Sequence, residues 1–274
     1  MADFLLQVTS ISDAEFARIS EFVKGVCGIN LHTGKKELVK ARLAKRIREL
    51  DLHSFDDYFD YVHADASGVE LTVMLDRLST NLTYFFREAQ HFALIPKLVA
   101  DSAATKKVRV WSAGCSSGEE AYTLAICLAE ATGSSGYDTK VLATDISTRV
   151  LDTARKGVYH SQRLREVPGG LMGRHFTMIQ ARPDRVYRVN DEIRSQVTFG
   201  RLNLMENWPM SGPFDAIFCR NVMIYFDKPT QARLVDRFER LLRPGGMLFV
   251  GHSESLAGVS HTLGYVQPAA YRRK

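Results

Sequence analysis

Apolar residues recur at helical spacing through the first third of the chain. Ser12-Asp13-Ala14-Glu15 has the form of a capping box, after which Phe16, Ile19, Phe22, Val23 and Val26 fall on one face. A second helix is predicted from about 35 to 50, with Leu38, Leu43, Ile47 and Leu50 near one stripe. Phe55, Tyr58, Phe59 and Val62 mark a third helix, and Leu71, Met74, Leu75 and Leu78 a fourth. No strand-like run interrupts them, so residues 1–88 are expected to form an all-α domain and a linker.

The pattern changes at Lys107. Val108-Arg109-Val110-Trp111 reads as a buried strand, followed by the turn Ala113 to Gly118 and a helix through Ala131. Val141 to Asp145, Phe214 to Cys219 and Met247 to Val250 are further strands. Helices are predicted from about Thr148 and from Pro229 to Leu242, the latter stopped by Pro244-Gly245-Gly246. Strands alternating with helices imply a mostly parallel, doubly wound α/β sheet over residues 89–274. One stretch, about 170–197, shows no convincing helix. Phe176 to Ile179 and Val186 to Val189 flank the turn-like Ala181-Arg182-Pro183-Asp184, which suggests a small inserted antiparallel β-subdomain. Insertions of that size inside a compact domain are more often functional than idle.

Composition narrows the class. With 274 residues, 45% hydrophobic and 24% charged, the chain suits a packed globular protein. The opening MADFLLQVTS lacks a basic n-region and apolar core, and no apolar run approaches the ~18 residues of a membrane span, so a soluble cytosolic protein is expected. Cys27, Cys115, Cys127 and Cys219 are scattered without a C-x-x-C pair, which favours plain buried thiols over a disulfide framework or a metal centre. A net charge of +5 and a pI near 9.0 suggest an acidic partner, either nucleic acid or a protein surface. Much of the excess lies on the second helix, which carries Lys35, Lys36, Lys40, Arg42, Lys45, Arg46 and Arg48 against Glu37 and Glu49.

The chemistry-bearing residues fall at predicted strand ends. After the first strand, Ser112-Ala113-Gly114-Cys115-Ser116-Ser117-Gly118-Glu119-Glu120 has small residues that would let backbone approach a ligand, but its G-x-x-x-G spacing fails the dinucleotide fingerprint. Acids at the start of the helix would repel a pyrophosphate and suit an ammonium or sulfonium. Asp145, ending the second strand, is placed to hold ribose hydroxyls. Asn203-Leu204 and Arg220-Asn221 end two further strands, the first suited to an adenine edge, and Tyr225 follows one helical turn later. Asn81, Thr83 and Arg87 are polar residues set among aromatics in Asn81-Leu82-Thr83-Tyr84-Phe85-Phe86-Arg87-Glu88, where a lid or a domain linker would fit.

Taken in order, the 81–88 segment, Trp111 to Glu120, Ala143-Thr144-Asp145-Ile146, Arg220-Asn221-Val222-Met223-Ile224-Tyr225-Phe226 and Gly251-His252-Ser253-Glu254-Ser255 resemble the CheR-type chemotaxis receptor methyltransferases. The resemblance implies a class I methyltransferase-like (Rossmann-like) sheet, with S-adenosylmethionine as methyl donor, S-adenosylhomocysteine as product and receptor glutamates as acceptors. It places Asn81, Thr83, Arg87, Glu119, Asp145, Asn203, Leu204, Arg220 and Asn221 around the cofactor. It makes the basic helix, through Lys36, Lys40, Arg42, Lys45 and Arg46, a docking surface for the acidic helical bundle of a receptor. In some members the β-subdomain docks a receptor C-terminal peptide.

A carboxylate acceptor is already ionised at neutral pH and needs no general base. Arg87 and Tyr225 are therefore expected to act by orienting the substrates, with no metal and no catalytic triad. A nucleic-acid methyltransferase would share the fold and the charge, but an Asn/Asp-Pro-Pro-aromatic motif and a Pro-Cys nucleophile are missing. No nucleic-acid partner and no membrane insertion are expected, only recruitment to membrane-bound receptors. A non-catalytic adaptor retaining the fold is the other alternative, and the polar residues at each strand end count against it.

Overall fold

Ser12 opens the first helix, α1 (Asp13–Cys27), with a complete capping box: its hydroxyl accepts the Glu15 N–H at 3.1 Å, and its own N–H donates to Glu15 Oε2 at 2.7 Å. The computed structural model describes residues 10–274, so the opening segment on which the absence of a secretory signal was read lies outside it. The chain divides into two compact units, one running to Thr80 and taking in Tyr225–Asp227, the other formed by Asn81–Ile224 and Lys228–Lys274. The segment 81–88, grouped by the sequence with the helices, belongs to the second unit.

In the first unit α1 is followed by α2 (Lys36–Glu49), α3 (Phe55–Ala64) and α4 (Val69–Leu78). Their apolar stripes meet in a core of Phe16, Ile19, Val23, Val39, Leu43, Ile47, Phe55, Tyr58 and Met74. The buried stripe of α2 is Val39, Leu43 and Ile47 at i, i+4 spacing, and Leu38 and Leu50 lie only partly buried beside it.

In the second unit α5 (Ile95–Asp101) leads into β1 (Lys107–Ala113), α6 (Glu119–Thr132), β2 (Asp138–Asp145) and α7 (Thr148–Lys156). The inserted subdomain follows as β3 (Val158–His160), α8 (Gly169–His175), β4 (Phe176–Gln180), β5 (Val186–Val189) and α9 (Asp191–Arg194). The chain then returns through β6 (Val197–Arg201), β7 (Phe214–Cys219), α10 (Lys228–Leu241) and β8 (Leu242–Val250) to a final pair, β9 (Gly264–Gln267) and β10 (Ala270–Arg272).

The main sheet has the order β6-β2-β1-β7-β8-β10-β9. The first five strands are parallel, and β10 and β9 close the edge antiparallel. Strand order reverses between β1 and β7, so the crevice outside their carboxyl ends is where such a sheet takes a ligand. The subdomain is a three-stranded antiparallel sheet, β3-β5-β4.

Two expectations are corrected in this unit. The stretch from Gly169 to Val197 is not free of helix, and its sheet recruits β3 from further upstream. Helix α8 forms despite Gly169, Gly170 and Gly173 because Leu171 and Met172 pack against the core of the sheet, outweighing poor intrinsic propensity. Among the described residues no helix is long and apolar enough to cross a membrane.

Candidate active site

Five stretches meet the carboxyl edge of the main sheet: Gly114–Gly118 after β1, Asp145 on β2, Asn203–Leu204 after β6, Arg220–Asn221 after β7 and Gly251–Glu254 after β8. The β1–α6 turn needs left-handed backbone at Gly114 (φ 93°) and Gly118 (φ 96°). A Cβ at Gly114 would stand 2.4 Å from Val222 Cγ2, and one at Gly118 2.8 Å from Ala154 Cβ. Packing inside the protein therefore closes both positions to a side chain. The turn is tied to β2 as well. Gly114 and Cys115 donate to the Thr144 carbonyl at 2.8 and 2.9 Å, and Ser116 N–H donates to Asp145 Oδ2 at 2.8 Å. Asp145 Oδ1 accepts the Ser147 N–H at 2.9 Å, so this buried acid aligns two loops at the mouth of the crevice.

The acids that open α6 are both withdrawn from water. Glu119 accepts from Ser117 Oγ at 2.7 Å and from Arg163 Nη1 at 3.2 Å. Burial lifts its carboxyl above the ordinary range, while the Ser117 hydroxyl and the Arg163 charge pull it back. Glu120 accepts from Ser112 Oγ at 2.7 Å and pairs with Arg220 at 3.4 Å; burial raises it too, against the Arg220 charge. Arg220 is itself buried, and it also pairs with Glu88 at 3.2 Å and donates to the Arg87 carbonyl. Its Nε and Nη1 have no hydrogen-bond partner.

The segment 81–88 is anchored by aromatics. Phe85 packs edge-on against Tyr159 and Phe176, and Phe86 against Phe92. The Asn81 carbonyl accepts from Ser116 Oγ at 3.0 Å, and the Thr83 carbonyl from Arg163 at 3.1 Å, which brings both residues to the β1–α6 turn. Arg87 bends back to the Leu82 carbonyl at 2.8 Å, with its guanidinium 5.8 Å from the Tyr84 ring centre.

Asn221 adopts φ 59°, a conformation held by Glu254, whose carboxylate accepts the N–H groups of Asn221, Ile224 and Gly251 at 2.7, 3.0 and 2.5 Å. Asn203 is buried and turns inward: its Oδ1 accepts the Met205 N–H at 3.0 Å and its Nδ2 donates to Glu206 at 3.2 Å. The Leu204 carbonyl is clamped by Arg237 at 2.7 Å, whose guanidinium lies 3.7 Å from the Trp208 ring centre. Tyr225 belongs to the helical unit, where its carbonyl accepts the Asn30 N–H at 2.7 Å.

Arg163, Glu254 and Arg237 were missed by the sequence reading as site-shaping residues. Arg163 has no signal in the sequence at all, since the subdomain carries it back to Glu119 across 44 residues. Glu254 lies in the Gly251–Ser255 motif, which marks its position but not the three N–H groups it holds.

Glu88, His91 and His252 also converge, their ligating atoms within 4.8 Å of one another. His91 is fully buried with neither ring nitrogen hydrogen-bonded, and burial together with the Arg220 charge lowers its pKa to about 4. The Glu88 oxygen facing the histidines is already taken by Arg220 and by the His252 N–H, each at 3.2 Å. A second cation beside that guanidinium would be repelled, so the cluster reads as part of the Arg220 network.

On α2 the expected docking cations differ in their commitments. Arg42 caps α4, donating to the carbonyls of Leu78 and Ser79 and to Thr80 Oγ1 at 2.5, 3.1 and 2.9 Å. Arg46 forks onto buried Glu70 at 2.9 and 2.6 Å. Lys36 pairs with Asp13 at 2.6 Å, Lys40 with Glu37, and exposed Lys45 with Glu49 at 3.9 Å, while Arg48, outside the expected set, is also exposed.

The model of the CheR methyltransferase SAM binding domain matches residues 81–271, and that of the CheR methyltransferase all-alpha domain matches residues 14–79. A chemotaxis protein methyltransferase of Klebsiella aerogenes is 43% identical over 259 residues, covering 93% of this chain and 88% of its own. Chemotaxis protein methyltransferase 2 of Pseudomonas aeruginosa is 44% identical over 259 residues, covering 94% and 92%. The chemotaxis protein methyltransferase of Escherichia coli is 42% identical over 259 residues, covering 92% and 89%.

Proposed function

The chain belongs to the CheR methyltransferase family, and from that premise we propose that it transfers a methyl group from S-adenosylmethionine to glutamate side chains of chemotaxis receptors, forming methyl esters. The observation that carries the reading is the pair of buried carboxylates on the neighbouring strands' carboxyl side, Glu119 opening α6 after β1 and Asp145 ending β2, backed by polar residues that follow β6 and β7. That set fits a ligand with a cationic methionyl end and a nucleoside end.

When bound, S-adenosylmethionine supplies a methyl group made electrophilic by its sulfonium. The chain's residues divide the remaining work. Asn81, Thr83, Arg87 and Glu119 hold the methionyl end, Asp145 the ribose, and Asn203 and Leu204 the adenine, with Arg220 and Asn221 at the floor of the crevice. Glu254 and Arg237 fix the loops that carry Asn221 and Leu204. The acceptor glutamate, with an ordinary pKa near 4.3, arrives ionised, so no side chain has to remove a proton. Its carboxylate would accept the methyl group that bound S-adenosylmethionine would supply, and the chain's own part would be to align the two. Such alignment supplies roughly 7–11 kcal/mol in favourable cases. Arg87 and Tyr225 are the residues proposed to orient the acceptor.

The partner is an acidic receptor surface. On α2, Lys45 and Arg48 offer charge to it directly, and Lys36 and Lys40 can exchange exposed intramolecular partners for it. Arg42 and Arg46 shape the helix that presents them. The β-subdomain is the proposed seat for a receptor C-terminal peptide. Steady-state kinetics of Arg87→Ala and Tyr225→Phe at saturating substrate test the assignment. Each variant should lower kcat, and unchanged turnover in both would remove these residues from the mechanism.

A further inference from the structure

Glu119 is 0% exposed, and both of its oxygens are engaged, Oε2 by Ser117 and Oε1 by Arg163. The Arg163 side chain is 49% exposed, so it stands between the buried carboxylate and solvent. It comes from the short turn Ser161–Leu164 of the inserted subdomain, and the same nitrogen that meets Glu119 also donates to the Thr83 carbonyl at 3.1 Å. One exposed arginine thus spans two residues assigned above to the methionyl end of the cofactor.

We propose that Arg163 is a positioning residue that acts as a placeholder counter-ion, keeping Glu119 ionised before the cofactor binds and yielding it to the cationic methionyl end on binding. The proposal rests on the reading of Glu119 as a cofactor residue. Its physical basis is the cost of a lone buried carboxylate, which takes up a proton sooner than remain charged. Burial pushes Glu119 up; the Ser117 hydroxyl and a backbone N–H draw it back, and Arg163 adds the one positive charge that does so. The other titratable groups facing Glu119 are Tyr159 from β3 and Cys115 from the β1–α6 turn, both held neutral by burial. Neither can substitute for a positive charge. Exchanging a half-solvated guanidinium for the ligand's ammonium keeps the buried carboxylate paired throughout, and the released arginine returns to water at little cost.

Calorimetric titration of the full-length protein with S-adenosylhomocysteine tests this, between pH 6 and 8 and in two buffers of different ionisation enthalpy. In Arg163→Met the buried Glu119 carboxyl loses its opposing charge and should hold a proton more readily, so binding of the cationic ligand should release up to about one proton more than in the parent. Its affinity should weaken as pH falls, approaching about tenfold per pH unit. Arg163→Lys should restore most of the parent behaviour, and the extra proton should vanish in the Arg163→Met/Glu119→Gln double variant. Parent-like affinity, pH profile and proton release in Arg163→Met would overturn the proposal, as would a loss of affinity that is the same at every pH. If Glu119→Gln alone leaves affinity unchanged, the cofactor reading of Glu119 fails and the placeholder role falls with it.

Discussion

Each unit of the molecule buries glutamate against arginine, and the two arrangements differ in how completely they are satisfied. In the helical unit Glu70 takes both prongs of the Arg46 guanidinium and the Tyr58 hydroxyl, the last at 2.9 Å. Every strong group there has a partner, and the cluster locks α2, α3 and α4 together. In the sheet unit Arg220 sits between Glu88 and Glu120 at 3.2 and 3.4 Å, and its Nε and Nη1 have no hydrogen-bond partner. Buried donors are rarely left so, and these lie at the carboxyl edge of the sheet, at its switch point. In the function proposed above, the saturated pair is structural and the under-satisfied one serves the cofactor crevice.

The contrast can be broken most sharply at Arg220. Arg220→Met should weaken S-adenosylhomocysteine binding by about a hundredfold, near 3 kcal/mol at 1.4 kcal/mol per tenfold. Unchanged affinity in a calorimetric titration would mean that the Arg220 cluster is structural like its counterpart. Arg46→Met should do the reverse. It strands the Glu70 carboxylate and should cost about 3 kcal/mol in urea denaturation, the low end for a broken buried pair because Arg46 is partly exposed. Cofactor affinity in the folded variant should not move.

Lys45→Glu/Arg48→Glu sits at the small end. Exposed charges act over about 8 Å at physiological salt, so the apparent KM for a receptor fragment should rise about three- to tenfold at low salt and converge on the parent at high salt. A KM that ignores salt would move the docking surface elsewhere.

The outline of both units was legible because period and punctuation agree with tertiary structure there. Ser12–Glu15 caps a helix as its spacing promises, and Val141 to Asp145 ends a parallel strand on an acid. What stayed hidden depended on contacts remote in sequence. Gly114 and Gly118 are set against Val222 and Ala154, contacts that spacing alone does not show. Helix α8 carries three glycines and is held by Leu171 and Met172. The strands β9 and β10 are too short, around Pro268, to show an alternation. The bonds of the Asn203 amide to Met205 and Glu206 in the loop that follows β6 were not visible from its place at a strand end. The role of Arg163 exists only once the subdomain has folded over the β1–α6 turn.

The central claim is that a positioned, already ionised glutamate takes the methyl group. Incubation with methyl-labelled S-adenosylmethionine and a purified receptor cytoplasmic fragment, followed by mild base, addresses it directly. Label should enter the fragment and leave as methanol, as a carboxyl ester requires, with none transferred to RNA offered in parallel. Label that survives base, or that enters RNA in preference to the receptor, would contradict it.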